Sequence, residues 1–263
     1  MHISYLDQYL NLDSPIHRLD GRIKLIAVLA FILACTLTPP GRWGAFAALG
    51  AVWAGIVTLA RVPHHLLLRR GMVALPFTLA ALTLLFTRPG EVWLAMPLGH
   101  WQVQITAQGF VAFLSVMLKS WLSVLMALLG TATTPYPALM QALRGIGVPK
   151  LLVAIISFMY RYLFVLADEA QRLLQAREAR SAQRDGYPAG GSILWRARVA
   201  GGMVGNLFLR SYERSERIYQ AMVSRGYTGE LRTLETKRAK PGDGMMLLGF
   251  VSLLGIIEGL AYL

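Results

Sequence analysis

"AQGFVAFLSVMLKSWLSVLMALLG", residues 107–130, decides the fold: 24 residues with one charge, Lys119, and no proline. As a helix it would be about 36 Å long, enough to cross the roughly 30 Å hydrocarbon core of a bilayer. Four more runs have the same character: 23–38 (IKLIAVLAFILACTLT), 43–60 (WGAFAALGAVWAGIVTLA), 71–87 (GMVALPFTLAALTLLFT) and 244–263 (GMMLLGFVSLLGIIEGLAYL). The whole chain agrees, with 55% of its 263 residues hydrophobic, 15% charged and a mean hydropathy of +0.49. A soluble globular domain carries about a quarter of its residues charged. The first run begins too far from the N-terminus for a cleaved signal peptide and has no small-residue cleavage site after it.

Placement of Lys and Arg sets the expected orientation. Arg18, Arg22 and Lys24 lie at the entry to the first run, Arg61, Arg69 and Arg70 lie between the second and third, and residues 131–240 hold 17 Lys and Arg against 8 Asp and Glu. The opposite connections hold only Arg42 and Arg88. Positive residues collect on the cytoplasmic side. The N-terminus, the 61–70 loop and the basic region are therefore expected to be cytoplasmic, with the C-terminus outside.

The sequence thus predicts an all-α integral membrane protein with about five transmembrane helices. Its parts are a cytoplasmic N-terminal segment 1–22, a four-span bundle 23–130, a basic cytoplasmic region 131–242 and a last span 243–263. Within the basic region, 150–167 (KLLVAIISFMYRYLFVLA) is as apolar as a span. A single crossing there would carry Arg172, Arg177, Arg180 and Arg184 outside, so it reads as a helix packed under or partly within the membrane and continuing into DEAQRLLQAREARS. A paired crossing that returns through 192–209 is the alternative. Asp168 is placed to pair with Arg161 or with Arg172.

The net charge of +12 is the footprint of a nucleic-acid binder only when a recognition motif accompanies it. None does, and apolar spans flank the basic region, so lipid headgroups and protein partners are expected instead. The lone Cys35 excludes a disulfide framework or a cysteine zinc site within the chain. The five histidines form no HxxxH or HxH pair; His2 beside a free N-terminus is the one metal-binding thought the sequence offers, with no further ligands near it.

Two amphipathic helices stand out in the basic region. One runs to "ERSERIYQAMVSRGYTGE" (213–230), with Val204, Phe208, Tyr212 or Ser211, Ser215, Ile218 with Tyr219, and Met222 spaced along one face. Gly226 follows Arg225 where a left-handed cap belongs. The other ends "QAREARSAQRDGYP", with Arg180 before a small residue and Gly186 and Pro188 beyond. Each helix presents an arginine at its C-terminal end beside small residues that leave it unshielded. Arginine's planar fork suits directional contact with carboxylates, and two like ends suit two like acidic grooves. "YPALMQALRGIGV" (136–148) reads as a short amphipathic helix with Leu139, Leu143 and Ile146 on one side.

"ARS" at 179–181 and "SRG" at 224–226 resemble the paired Ala-Arg-Gly signatures of the EcfT family, the transmembrane components of energy-coupling factor transporters. "SPIHRLDGRIKL" (14–25) is similar to that family's entry to its first span, and "ERIYQAMVSRGYTGE" (216–230) resembles the cobalt-transport branch, CbiQ. Ser181 stands where the first signature has glycine, and Ser224 where the second has alanine. The resemblance implies a cytoplasmic coupling-helix region in which Ala179, Arg180, Ser181, Ser224, Arg225 and Gly226 engage an ABC ATPase dimer. It also implies a substrate-binding membrane subunit as partner, cobalt as cargo and a place in the inner membrane.

Catalytic signatures are missing. No GxxxxGK[ST] occurs, since "GIGVPK" (145–150) has neither the spacing nor the hydroxyl, and no GxSxG or HExxH is present. No cofactor is expected in this chain, ATP and magnesium being held by the partner ATPase. Lys119 and Glu258 are the charges within spans, and such charges are functional candidates by default; here structural pairing is the first expectation. The rival from another class is an intramembrane enzyme acting on an anionic lipid through Lys119, Arg161 and His64 or His65. A plain lipid-binding scaffold is the third reading.

Overall fold

The computed structural model describes residues 9–74, 76, 80–87, 89, 92–98, 101–180, 192–229 and 241–263. Its helices are α1 (Pro15–Arg18), α2 (Gly21–Leu37), α3 (Trp43–Ala60), α4 (His64–Gly71), α5 (Leu84–Thr87), α6 (Ala107–Thr133), α7 (Tyr136–Gly145), α8 (Lys150–Arg180), α9 (Ile193–Val223) and α10 (Pro241–Tyr262). The fold is all-α apart from one hairpin, β1 (Val92–Leu98) with β2 (Trp101–Thr106), paired antiparallel with Met96 opposite Val103. That hairpin occupies the connection before α6, where the sequence suggested no strand.

The described residues divide into two units, one drawn from 9–146 and 241–263 and the other from 147–229. In the first, helices that are apolar all round still bury one stripe each: Phe31, Ala34 and Cys35 of α2, Phe46, Leu49, Trp53 and Val57 of α3, Leu122, Leu125 and Leu129 of α6, and Leu254 of α10. The outward stripe is equally apolar, with Leu29, Leu33, Leu37, Leu59, Leu248 and Ile256 exposed. Helices hydrophobic on every face belong in a membrane. Among the described residues four helices are long and apolar enough to cross one, namely α3, α6, α8 and the Gly242–Tyr262 part of α10. Helix α2 has 17 residues, about 25 Å.

The run 71–87 is not one helix. Helix α4 ends at Gly71, 3-10 turns cover Met72–Ala74 and Ala80–Thr83, and α5 has four residues. Pro76 lies inside that run; it supplies no backbone N–H and crowds the preceding turn, so an apolar composition does not yield a continuous span.

In the second unit, α8 is a single helix of 31 residues from Lys150 to Arg180, so the apolar run 150–167 and the charged run after it are continuous as the sequence suggested. Helix α9 also has 31 residues and buries none of them. It is not among the four helices with the length and composition to span.

Candidate coupling site

The Arg225 end is built by its cap. Helix α9 finishes at Val223, and Gly226 then takes φ +82°, a conformation that a side chain strains and glycine does not. The Gly226 N–H donates to the Val223 carbonyl at 2.9 Å and the Tyr227 N–H to the Met222 carbonyl at 3.0 Å. These two bonds form a Schellman cap with Gly226 at its left-handed position. Ser224 turns its hydroxyl back onto the Ala221 carbonyl at 3.1 Å, which leaves Arg225 as the reaching side chain of the turn. Arg225 is exposed.

Ala179 and Arg180 close α8, and both are exposed. Ser181 and the Gly186 and Pro188 stop lie outside the described residues. The arginine ends are on separate helices of one unit and, among the described residues, share no bond with each other.

The covered side of α9 takes in only part of the face its spacing suggested. Ser211, Ile218 and Met222 of that face are partly buried, with Met203, Leu207 and Arg214 beside them, whereas Val204, Phe208, Tyr212, Ser215 and Tyr219 are exposed. The exposed row is the larger and more aromatic of the two, the composition of a surface that meets a partner.

Helices α8 and α9 are joined by an ion pair at 2.7 Å, Arg210 Nη1 to Glu169 Oε1. The expected pairs of Asp168 are not made: among the described residues no ion pair links it to Arg161 or Arg172. Seven residues put Arg161 about 10 Å along the axis from Asp168, and Asp168 is exposed while Glu169 turns toward α9. Sequence periodicity finds partners within a helix, and it has no signal for a partner 41 residues away.

A second constellation was read only as a resemblance. Ser14 caps α1 through the His17 N–H, and its hydroxyl lies 2.7 Å from His17 Nδ1. His17 Nε2 faces the Leu10 carbonyl at 3.0 Å; because that oxygen only accepts hydrogen bonds, Nε2 carries the proton in the neutral tautomer and donates to it. Burial, then the nearby Lys24, holds the His17 pKa below its ordinary 6.5. Asp20 caps α2 through the Arg22 N–H at 2.9 Å. Lys24, 8% exposed, donates to the Thr133 carbonyl at 2.9 Å and the His17 carbonyl at 3.3 Å. Both acceptors lie in the last turns of helices, at their negative ends. The Arg22 guanidinium lies across Gly145 so closely that a Cβ there would displace it. The segment 14–25 thus ties the start of α2 to the end of α6 and to α7, whose buried side is Met140 and Ala142, with Leu139 and Leu143 half-buried and Ile146 exposed.

Of the charges within spans, Lys119 finds an acceptor, and Glu258 finds a donor for one of its two carboxyl oxygens while Oε2 is buried without a partner among the described residues. Lys119 of α6 donates to the Thr36 carbonyl at 2.9 Å, and Tyr262 of α10 to the Leu37 carbonyl at 2.9 Å. Thr38 Oγ1 lies 2.7 Å from Glu258 Oε1. These groups gather at the C-terminal end of α2, where carbonyls lack helical partners. Of the residues the enzyme reading needs, Lys119 is engaged at Thr36, His64 lies edge-on to Trp53 at 6.1 Å, and Arg161 belongs to the other unit. Among the described residues no three His, Cys, Asp or Glu gather as a metal site requires; His2 lies outside them.

Residues 13–235 match the family model CbiQ, cobalt transport protein. The energy-coupling factor transporter transmembrane protein EcfT of Heliobacterium modesticaldum is 32% identical over 85% of this chain and 84% of its own length. Those of Acidaminococcus fermentans and Bacillus subtilis are 29% and 25% identical, each over 96% of both chains. The apolar helices and this family make the protein a multi-pass membrane protein and a transporter component. With a family match across most of its length and relatives aligned nearly end to end, the chain belongs to the CbiQ and EcfT family, the transmembrane components of energy-coupling factor transporters.

Proposed function

We propose that this chain is the energy-coupling subunit of an importer in the cell membrane, with cobalt as its cargo, and that Ala179, Arg180, Ser181, Ser224, Arg225 and Gly226 dock an ABC ATPase dimer. The N-terminus and residues 131–242 lie on the cytoplasmic side, where the Lys and Arg excess favours them. ATP and magnesium are bound by the ATPase. Its closure moves the two arginine ends, and the exposed aromatic row of α9 passes that motion to a substrate-binding membrane subunit.

The observation that carries this reading is the pair of exposed arginine-ended helices in one unit, the Arg225 end fixed by the Gly226 cap. A flexible tail would present the same charge without the same direction, and carboxylate recognition by arginine depends on direction. The test is affinity purification of the chain in mild detergent from its host, unmutated and as Arg180→Ala with Arg225→Ala. An ABC ATPase that accompanies the unmutated chain and is lost from the double variant is the expected result. Its absence from both samples overturns the reading. Radiolabelled cobalt uptake by the complete transporter, competed with nickel, tests the cargo.

A further inference from the structure

Helices α8 and α9 each pass from a less polar stretch to a charged one. In α8 the residues before Asp168 are apolar apart from Lys150, Ser157, Arg161 and the tyrosines, and those after it are largely polar. In α9, after Arg196 and Arg198 near its start, residues 199–209 carry no charge, and from Arg210 onward Glu213, Arg214, Glu216 and Arg217 follow. The ion pair between Glu169 and Arg210 joins the two helices at both of these boundaries. Beyond the pair both helices are polar, and both end in the arginines.

No residue of α9 is buried, and α8 buries only Val153 and Ala154, far from the pair. Contact between lightly packed apolar faces has no strong preference for one register. A charge-assisted bond at 2.7 Å, with the Glu169 side chain only 21% exposed, is directional. From Glu169 to Arg180 is eleven residues and from Arg210 to Arg225 fifteen, giving arms of about 16 and 22 Å. A 10° change of angle at the pair sweeps those ends by roughly 3 to 4 Å.

We infer that Glu169 and Arg210 are positioning residues: their ion pair is the pivot about which the polar arms bearing Arg180 and Arg225 move against the less polar arms of the same two helices. The inference rests on the coupling reading for what the motion accomplishes, though the pivot itself is a property of α8 and α9 alone.

The test uses the complete transporter in lipid nanodiscs, with Cys35→Ser and spin labels at Gln175→Cys and Gln220→Cys, both exposed positions on the polar arms. Glu169→Gln and Arg210→Gln are compared with the charge exchange Glu169→Arg, Arg210→Glu. The expected result is a broadened distance distribution in each single variant and a narrow one restored in the exchange. Cargo moved per ATP hydrolysed falls roughly two- to five-fold in the singles and recovers in the exchange, while the ATPase co-purifies throughout. Unchanged distributions in the single variants overturn the pivot, as does an exchange that stays as broad as they are. If no ATPase accompanies even the unmutated chain, the coupling reading falls, and the distance measurement on the chain in nanodiscs still decides the pivot.

Discussion

Lys24 Nζ donates to the Thr133 carbonyl at 2.9 Å, closing a loop of 109 residues between the first turn of α2 and the last turn of α6. This deeply buried lysine meets the carbonyl ends of two helices, at His17 and Thr133, which supply negative potential beside its ammonium. The bond therefore fixes the point from which α7 leaves the membrane bundle.

Lys24→Met keeps the length of the side chain and removes the donor, leaving two carbonyls without it. The expected cost is about 1–3 kcal/mol, read as a lower apparent melting temperature in detergent, with membrane insertion retained. Melting equal to that of the unmutated chain would show that water replaces the ammonium at no cost.

The His17 site adds a pH dependence with a definite sign. Its folded pKa is held below 6.5, first by burial and then by Lys24, so the unfolded chain binds the proton more readily. Stability contributed by His17 is complete above 6.5 and is lost as pH falls below 6.5 toward the folded value. Protonation also places an N–H on the ring nitrogen that now faces the Ser14 hydroxyl as an acceptor. Melting profiles from pH 8 to 5 should fall more steeply for the unmutated chain than for His17→Gln; parallel profiles would remove His17 as the cause.

Glu258 and Thr38 separate a structural carboxyl from a transporting one. Glu258 Oε1 has the Thr38 hydroxyl and Oε2 has no partner, so Glu258→Gln retains the contact the structure uses. Cargo uptake within about two-fold of the unmutated rate is expected, since a single retained hydrogen bond is worth about 1 kcal/mol. A loss of a hundred-fold would assign the carboxylate a charge-carrying role instead.

These tests sit on features of unequal legibility. Helices α3 and α6 follow from unbroken apolar runs, and the Gly226 cap follows from a glycine directly after the last turn. The run 71–87 misleads because composition counts its apolar residues and ignores the backbone consequence of Pro76. The α9 stripe is only partly legible: Ser211, Ile218 and Met222 are covered, but tyrosine and phenylalanine look buried by type yet stand exposed, as they do on surfaces that meet partners. Glu169 with Arg210 and Lys24 with Thr133 are pairings across the fold, and nothing periodic in the chain announces them.

Gly226→Ala tests the cap without touching the arginine. At φ +82° a Cβ costs about 1–2 kcal/mol, enough to fray a terminal turn that is held by two backbone bonds. Weaker retention of the ATPase with unchanged amounts of inserted chain is the expected outcome; full retention would mean that Arg225 docks without a fixed direction.

Arg180→Lys with Arg225→Lys keeps both charges and discards both planar forks. If the ends only sit among anionic headgroups, each cation contributes through its charge alone, about 1 kcal/mol whichever residue supplies it, and the variant should behave as the unmutated protein. If they dock into carboxylate-lined grooves, a compact ammonium cannot make two parallel bonds at once. The coupling reading therefore predicts that the doubly substituted chain inserts normally, binds anionic vesicles as before, and loses about ten-fold or more in ATPase affinity, a penalty of roughly 1.4 kcal/mol shared by two lost second bonds. Vesicle binding and ATPase retention measured side by side on one preparation separate the two, because only a protein groove distinguishes lysine from arginine.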